Sequence, residues 1–201
     1  TGAVTNDNQM TFTLGGLDAA SLTNTVNGTF TIAAGQTFTV ADVQNAGTMV
    51  VNSQLTGDLT NLAGADLSLT GGVTGTFDNQ ADTAVEGQFG TILNSAELTF
   101  TGDTQYQTFV NDGTVIIDPF AAVLAGPGGT FTNNATLQLT GNFGGDIINT
   151  GQIDAADGIS LLNGLNNNGV VDLAGDLTVV GPIAGSGDFN LQGNATAGDV
   201  L

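Results

Sequence analysis

The sequence predicts an all-β fold, a single-chain parallel β-solenoid (right-handed β-helix) of about ten coils with roughly 17 residues each. Three observations predict it. One asparagine recurs with the same neighbours, apolar residues flank it at even offsets, and Gly, Asn and Asp separate short runs rich in Val, Ile, Leu, Phe and Thr. Such residues favour pleated, half-buried strands, and the separators favour tight turns.

The recurring motif is an apolar residue, any residue, asparagine, any residue, and then glycine or alanine. It holds eight times in a row, at steps of 16, 18, 15, 17, 22, 16 and 18 residues. The motif asparagines are Asn45, Asn61, Asn79, Asn94, Asn111, Asn133, Asn149 and Asn167.

An apolar pair follows most of these asparagines at offsets of four and six, as in Val115 and Ile117 after Asn111. The pair comes late after Asn61, at Leu67 and Leu69, and the Asn79 coil fits poorly. Even offsets share one face of a strand, so the apolar residues and the asparagine all point inward. A buried asparagine is satisfied if its amide bonds to the equivalent amide one coil away, which predicts an internal asparagine ladder.

A second motif, an apolar residue followed by Thr-Gly or Ala-Gly, predicts the next corner of each coil. It occurs at residues 55–57, 69–71, 100–102, 124–126, 139–141 and 173–175. The alternative is a β-sandwich whose strands share a turn motif. Sandwich strands alternate in direction, so an identical inward asparagine would have no ladder to join. The repeat therefore favours the solenoid.

The two ends differ from the middle. Residues 1–42 contain strand-like runs but not the asparagine motif, so we expect irregular N-terminal coils or a cap. Residues 43–175 are the regular repeats, and residues 176–201 are expected to form C-terminal coils or an assembly end. Thr1 to Val4 reads as a processed or excised start, without a signal peptide.

The composition weakens several functions. The chain has no Lys, Arg or His against 19 Asp and Glu, which gives a formal net charge of −19. Phosphate binding needs basic side chains, so we expect no nucleic-acid partner. No run reaches the roughly 18 apolar residues of a membrane span, so we expect no membrane insertion. Without His, Cys, Lys or Arg, most nucleophilic and oxyanion chemistry is excluded.

The repeat resembles the right-handed β-helix passengers of bacterial autotransporters and the related filamentous haemagglutinin-like exoproteins. Residues 109–117, 147–153 and 165–173 carry the resemblance best, and it extends over residues 43–175. The resemblance implies a secreted rod, displayed at the bacterial surface and used in adhesion, aggregation or biofilm.

Carboxylate chemistry is what remains for catalysis, as in β-helix glycosidases. Asp154, Asp172 and Asp66 share an offset of five from their asparagines, so they are expected on one outer face. Aligned aspartates are more often solvated surface residues than a catalytic pair. We therefore expect no enzyme activity, with a carbohydrate-active β-helix enzyme as a distant alternative.

Two further ligands, calcium and ice, fit parts of the sequence. Asp, Asn and corner carbonyls could bind calcium, but residues 71–72, 144–146 and 185–188 are only fragments of a Gly-Gly-x-Gly-x-Asp motif. No cofactor is expected, and Ca²⁺ bridging between acidic rods is the more plausible cation interaction. Thr-x-Thr at residues 11–13, 29–31, 37–39, 99–101 and 130–132 raises ice binding as another alternative.

The leading hypothesis is an extracellular structural protein: an acidic rod of a surface fibre, adhesin or biofilm matrix. Its expected partner is a further copy of itself, stacked head-to-tail or laterally. The second hypothesis is a passenger segment that binds a glycan or a host surface. No aromatic cluster in the sequence marks such a surface, because Tyr106 is the single tyrosine.

Overall fold

A computed structural model of the chain describes residues 2–155, 159–161 and 163–200. Within these residues the chain is all-β and forms 23 strands, which join in one continuous sheet. Every strand pairing is parallel. The predicted parallel β-solenoid is confirmed, with about ten turns about 18 residues apart.

The strands of the first half are β1 (Ala3–Asn6), β2 (Gln9–Phe12), β3 (Gly16–Asn24), β4 (Thr29–Ile32), β5 (Thr37–Asn45), β6 (Thr48–Val51), β7 (Leu55–Asn61), β8 (Asp66–Leu69), β9 (Gly72–Asn79), β10 (Thr83–Asn94), β11 (Glu97–Asn111) and β12 (Thr114–Ile117). The strands of the second half are β13 (Ala122–Asn133), β14 (Thr136–Leu139), β15 (Asn142–Gly144), β16 (Asp146–Asn149), β17 (Gln152–Ala155), β18 (Ile159–Leu161), β19 (Leu165–Asn167), β20 (Val170–Leu173), β21 (Leu177–Ala184), β22 (Asp188–Leu191) and β23 (Ala195–Val200).

The strands stack into three faces. Face A contains β1, β16, β19 and the ends of the longer strands that finish at an asparagine. Face B contains the short strands β2, β4, β6, β8, β12, β14, β17, β20 and β22, together with the first residues of β10 and β11. Face C contains β15, β18, most of β23, the beginnings of β3, β5, β7, β9, β13 and β21, and the middle of β10 and β11. Strands about 4.8 Å apart make a rod on the order of 50 Å long.

The core is a single apolar column inside the three faces. The apolar pair predicted after most of the asparagines is buried on face B, for example Val115 with Ile117 and Leu137 with Leu139. Phenylalanines from different coils stack along the axis. The ring centroid of Phe131 lies 4.8 Å from that of Phe109 and 4.9 Å from that of Phe143. Each coil thus buries its apolar surface mainly against its neighbours.

The predicted corners need one correction. The Asn-x-Gly/Ala motif marks the corner between faces A and B, where a Cβ on Gly113 would lie 2.2 Å from the carbonyl oxygen of Ala96. The Thr-Gly or Ala-Gly motif, however, marks two different corners. At residues 69–71 it follows face B, whereas at 55–57 and 124–126 it follows face C. Each coil therefore has three faces and three corners, and the Thr-Gly or Ala-Gly motif does not distinguish the corner after face B from the corner after face C.

The prediction that the asparagines begin at residue 45 is also corrected. Asn6 and Asn24 lie in register below Asn45. The motif fails there because the turn after Asn24 is longer, with Gly28 four residues on, and because no small residue follows Asn6. A ladder requires an inward asparagine at the end of the strand, and the following turn is free to vary. The domain boundaries at 42 and 175 remain predictions.

Candidate functional site

The most distinctive arrangement in the molecule is the buried asparagine ladder on face A. Ten asparagines stack in register: the eight motif residues together with Asn6 and Asn24. In each of the nine steps, Nδ2 of one asparagine donates to Oδ1 of the next, at 2.7 to 3.3 Å. All nine bonds run from the N-terminal toward the C-terminal end, so the ladder has a direction.

The second proton of each amide also has a recurrent acceptor. Nδ2 donates to the backbone carbonyl that begins the face B strand of the next coil, as from Asn6 to Thr29 O at 3.0 Å and from Asn111 to Thr136 O at 2.9 Å. The exception is Asn61, which donates to Thr83 Oγ1 at 2.9 Å. Thr83 replaces an inward apolar residue, which explains why the Asn79 coil fits the motif poorly.

The ladder stops before the C-terminal coils. Register places Gly185 above Asn167, because Asn166 pairs with Ala184. Gly185 has a φ of 109°, and a Cβ there would lie 2.0 Å from the carbonyl oxygen of Asn167. A side chain at this position would clash with the coil below. The amide of Asn167 instead donates to Gly169 O and Asp188 O.

The two aspartates predicted to be neighbours do lie together on face B. Asp154 pairs directly with Asp172, and Asp172 pairs with Asn190. Gln152 Nε2 donates to Asp154 Oδ1 at 2.7 Å, and Asn190 Nδ2 donates to Asp172 Oδ1 at 2.6 Å. Asp154, Asp172 and Asn190 line an open groove of about 800 Å³ together with half-buried Phe189. Amide donors therefore offset much of the repulsion between the carboxylates.

Asp66 lies on the same outer face, as expected, but not beside this pair. It begins β8 and pairs with Thr48, in the other outward column of face B and several coils away. The turn after Asn61 contains two more residues than in most coils, closed by a bond from Ala65 N to Leu62 O at 3.0 Å. This insertion moves Asp66 from the third to the first position of its strand.

Elsewhere the carboxylates act as acceptors between coils. Asp58 Oδ1 accepts from Thr76 N at 2.7 Å, Asp176 Oδ1 from Asn194 N at 2.7 Å, and Asp112 Oδ1 from Asn134 Nδ2 at 2.8 Å. Each bond joins residues one coil apart. In a chain without basic side chains, backbone and amide N–H groups take the role that cations have in an ion pair.

Glycines of two segments that resemble fragments of a calcium motif lie at positions where the backbone approaches a neighbouring coil. Gly185 lies at the end of the ladder, and Gly145, with a φ of 140°, lies against the Tyr106 hydroxyl. Across the described residues, no three His, Cys, Asp or Glu side chains are grouped so that they could hold a metal ion.

The Thr-x-Thr segments do not form one column. Residues 29–31 lie on face B, residues 37–39 on face C and residues 130–132 on face A. A short outward column of threonines, which the Thr-x-Thr motif does not identify, lies on face A instead. It contains Thr76, Thr91, Thr108 and Thr130. The segments at residues 11–13 and 99–101 also begin on face B, so three of the five predicted segments share that face and the other two lie elsewhere.

Tyr106 has a role that the sequence did not reveal. Its side chain is 1% exposed, and its hydroxyl donates to Gly144 O at 3.1 Å, two coils away. Ala125 occupies the equivalent position in the intervening coil, and its small side chain leaves room for the ring. Burial, together with the nearby Asp146 carboxylate, raises the pKa of Tyr106 well above its ordinary value of 10.0.

The described part of the chain has no helix, and so none that is long and apolar enough to cross a membrane. Comparisons with known protein families, with curated proteins and with solved structures give no match.

Proposed function

We propose that the chain is an extracellular structural module: an acidic β-solenoid rod that belongs to a bacterial surface fibre, adhesin or biofilm matrix. The observation that supports it most is the continuity of the stack. Parallel strand columns run through the described residues, and an asparagine ladder joins ten successive coils. Pulling such a rod apart requires breaking backbone, side-chain and apolar contacts together at each coil.

The interior of the rod supports the same proposal. Among the described residues, no buried side-chain nitrogen or oxygen lacks a hydrogen-bond partner. The carboxylate side chains that the structure describes lie outside. With 19 Asp and Glu and no basic residue, the full sequence has a formal net charge of −19. Uniform charge keeps rods apart in solution, and Ca²⁺ bridging between neighbours would bring them together laterally. The absence of Lys and Arg also denies trypsin-like proteases a cleavage site.

The two ends have the chemistry needed for further stacking. Val4, Met10, Phe12 and Leu17 are only partly buried at the N-terminal end, as are Phe189 and Leu191 at the other end. Among the described residues, strand β2 pairs on one side alone, and so does β22. Open strand edges accept added strands through backbone hydrogen bonds. Head-to-tail stacking of coils is therefore part of the proposal.

A second candidate is a passenger segment that binds a glycan or a host surface, and the groove on face B favours it. Carboxylates, amides and one partly exposed phenyl ring, that of Phe189, line this groove. Carbohydrate sites combine such polar groups with an apolar surface. A glycan-binding assay that compares the native chain with Asp172→Asn and Phe189→Ala would test it, with Thr31→Ala as the control on a distant part of face B.

Electron microscopy of the purified chain, first with calcium and then with chelator, tests the structural proposal. Filaments one solenoid wide would support head-to-tail assembly, and their lateral bundling with calcium alone would support cation bridging. Isolated rods of about 50 Å under both conditions would contradict self-assembly and would leave the binding candidate as the better explanation.

A further inference from the structure

The central coils present a regular array of uncharged side chains on the outside of face A, here called the threonine array. Its first column contains Thr76, Thr91, Thr108 and Thr130, and its second column, two residues further along the strands, contains Leu93, Val110 and Thr132. The two carboxylates next to it, Asp78 and Asp146, lie at its opposite ends. In a chain with 19 Asp and Glu, the array is a neutral patch in the middle of the rod.

The side chains of the array face solvent. Thr108 and Thr130 are exposed, and Leu93 is 38% exposed although it is apolar. Threonine hydroxyls elsewhere bond to protein, as that of Thr83 does to Ala81 O. Within the described residues, no protein hydrogen bond uses the hydroxyls of the first column, since Thr76 bonds through its backbone N–H. The array therefore offers hydroxyl and methyl groups in a repeating order.

The layer beneath the array fixes its spacing. The inward rings of Phe109 and Phe131, on the same strands, have centroids 4.8 Å apart. Ladder bonds of 2.9 and 2.8 Å, from Asn94 to Asn111 and on to Asn133, hold the strand ends in register. Parallel strands repeat at about 4.8 Å, and side chains on one face of a strand repeat at about 6.6 Å. Threonine and valine are also restricted in rotamer by branching at Cβ.

We infer that the threonine array is a binding surface for ice. Oxygen atoms on the prism faces of hexagonal ice repeat along two perpendicular directions at distances close to these two spacings. Hydroxyls at such positions bond water in the arrangement of the crystal, and the methyl groups between them leave neighbouring water molecules free to bond one another. Carboxylates would order water around themselves instead. Because the array is rigid before it binds, binding costs little ordering of the protein.

Face B does not offer a comparable array. In the outward column that begins its strands, Thr48 is followed by Asp66, and Thr114 is preceded by Glu97. Carboxylates therefore divide its threonines into shorter runs than the four of face A. The inference goes beyond the proposed structural role, because it assigns the rod a ligand on its lateral surface.

Inhibition of ice recrystallisation and thermal hysteresis of the purified chain test the inference, in buffer with chelator so that calcium does not bring rods together. The disruptive variant is Thr108→Tyr, which places a ring in the middle of the array. The matched control is Gln138→Tyr, at an exposed outward position of face B. Circular dichroism checks that each variant keeps its β-structure. Thr108→Ser, which removes one outward methyl group, replaces the first variant if that variant does not fold.

We expect the native chain and Gln138→Tyr to inhibit recrystallisation and to show thermal hysteresis, and Thr108→Tyr to lose both activities. An inactive native chain would overturn the inference, and so would undiminished activity of folded Thr108→Tyr or, in its place, of Thr108→Ser. Sedimentation that shows two chains joined through the array, with no activity on ice, would also overturn it. Filament formation in electron microscopy tests the structural role separately.

Discussion

The central coils and the last coils share an alternating pattern but differ in what it buries. Phe109, Phe131 and Phe143 are at most 1% exposed, and ladder asparagines lie beside them. Phe189 and Leu191 keep the same alternation on β22 but are only partly buried, and the ladder position before this strand is occupied by Gly185. An inward apolar side chain stabilises the fold most where coils cover it on both sides. Burial by neighbouring coils therefore contributes more to stability than the alternating pattern of the strand itself.

The largest expected effect comes from removing a core ring in the central region. Phe131→Ala should cost about 3 to 5 kcal/mol, because it leaves a cavity between two stacked rings. Phe189→Ala should cost at most about 2 kcal/mol, because its ring is already partly exposed. Urea denaturation followed by circular dichroism measures both values. Similar costs at the two positions would contradict the comparison.

The ladder gives the next effect. Asn111→Ala should cost about 2 to 4 kcal/mol, because it removes bonds to Asn133 and Thr136 and leaves the Asn94 amide short of an acceptor in a buried site. The matched control is Asn142→Ala, at an asparagine with an exposed side chain, which should change stability by about 0.5 kcal/mol or less. A control variant that is as unstable as Asn111→Ala would show that the ladder has no special contribution.

The pH dependence of unfolding tests the contribution of Tyr106 to the central coils. It spans three central coils, and it is the one tyrosine in a chain without Lys, Arg or Cys. Its pKa is higher in the folded than in the unfolded chain. The stability from its neutral form is therefore complete below the unfolded pKa near 10 and falls as the pH rises toward the folded pKa. The expected slope is about 1.4 kcal/mol per pH unit above pH 10.

The matched variant is Tyr106→Phe, which should lose about 1 kcal/mol at neutral pH and show no such alkaline slope. Urea unfolding at several alkaline pH values gives the comparison, and the ultraviolet absorbance of tyrosinate reports ionisation directly. An equal slope in the variant would mean that another alkaline process destabilises the fold.

Much of the fold could be predicted because one residue type that recurs on the inward side, asparagine, is polar and needs a hydrogen-bond partner there. An asparagine at even offsets from apolar residues has few explanations besides a ladder, and the eight motif positions all lie in it. Asn6 and Asn24 were missed because the motif also required a small residue in the turn, which the ladder does not need. Asp66 shares the outer face of Asp154 but not its column, since a two-residue insertion alters the count from Asn61 without altering the stack.

The third face and the role of Tyr106 could not be read from the repeat. Face C has little sequence regularity, because its strands vary in length and in their inward residues. The bond of Tyr106 depends on alanine in the next coil and glycine in the one after, a coincidence visible only once the coils are aligned.

Hydrogen exchange of the asparagine side-chain amides, measured by nuclear magnetic resonance, tests the central claim most directly. Each of the ten ladder amides should exchange far more slowly than the exposed amides of Asn27 and Asn142, because it is buried and donates within the stack. Exchange of the ladder amides at the rate of those two exposed side chains would contradict the ladder and, with it, the solenoid built around it.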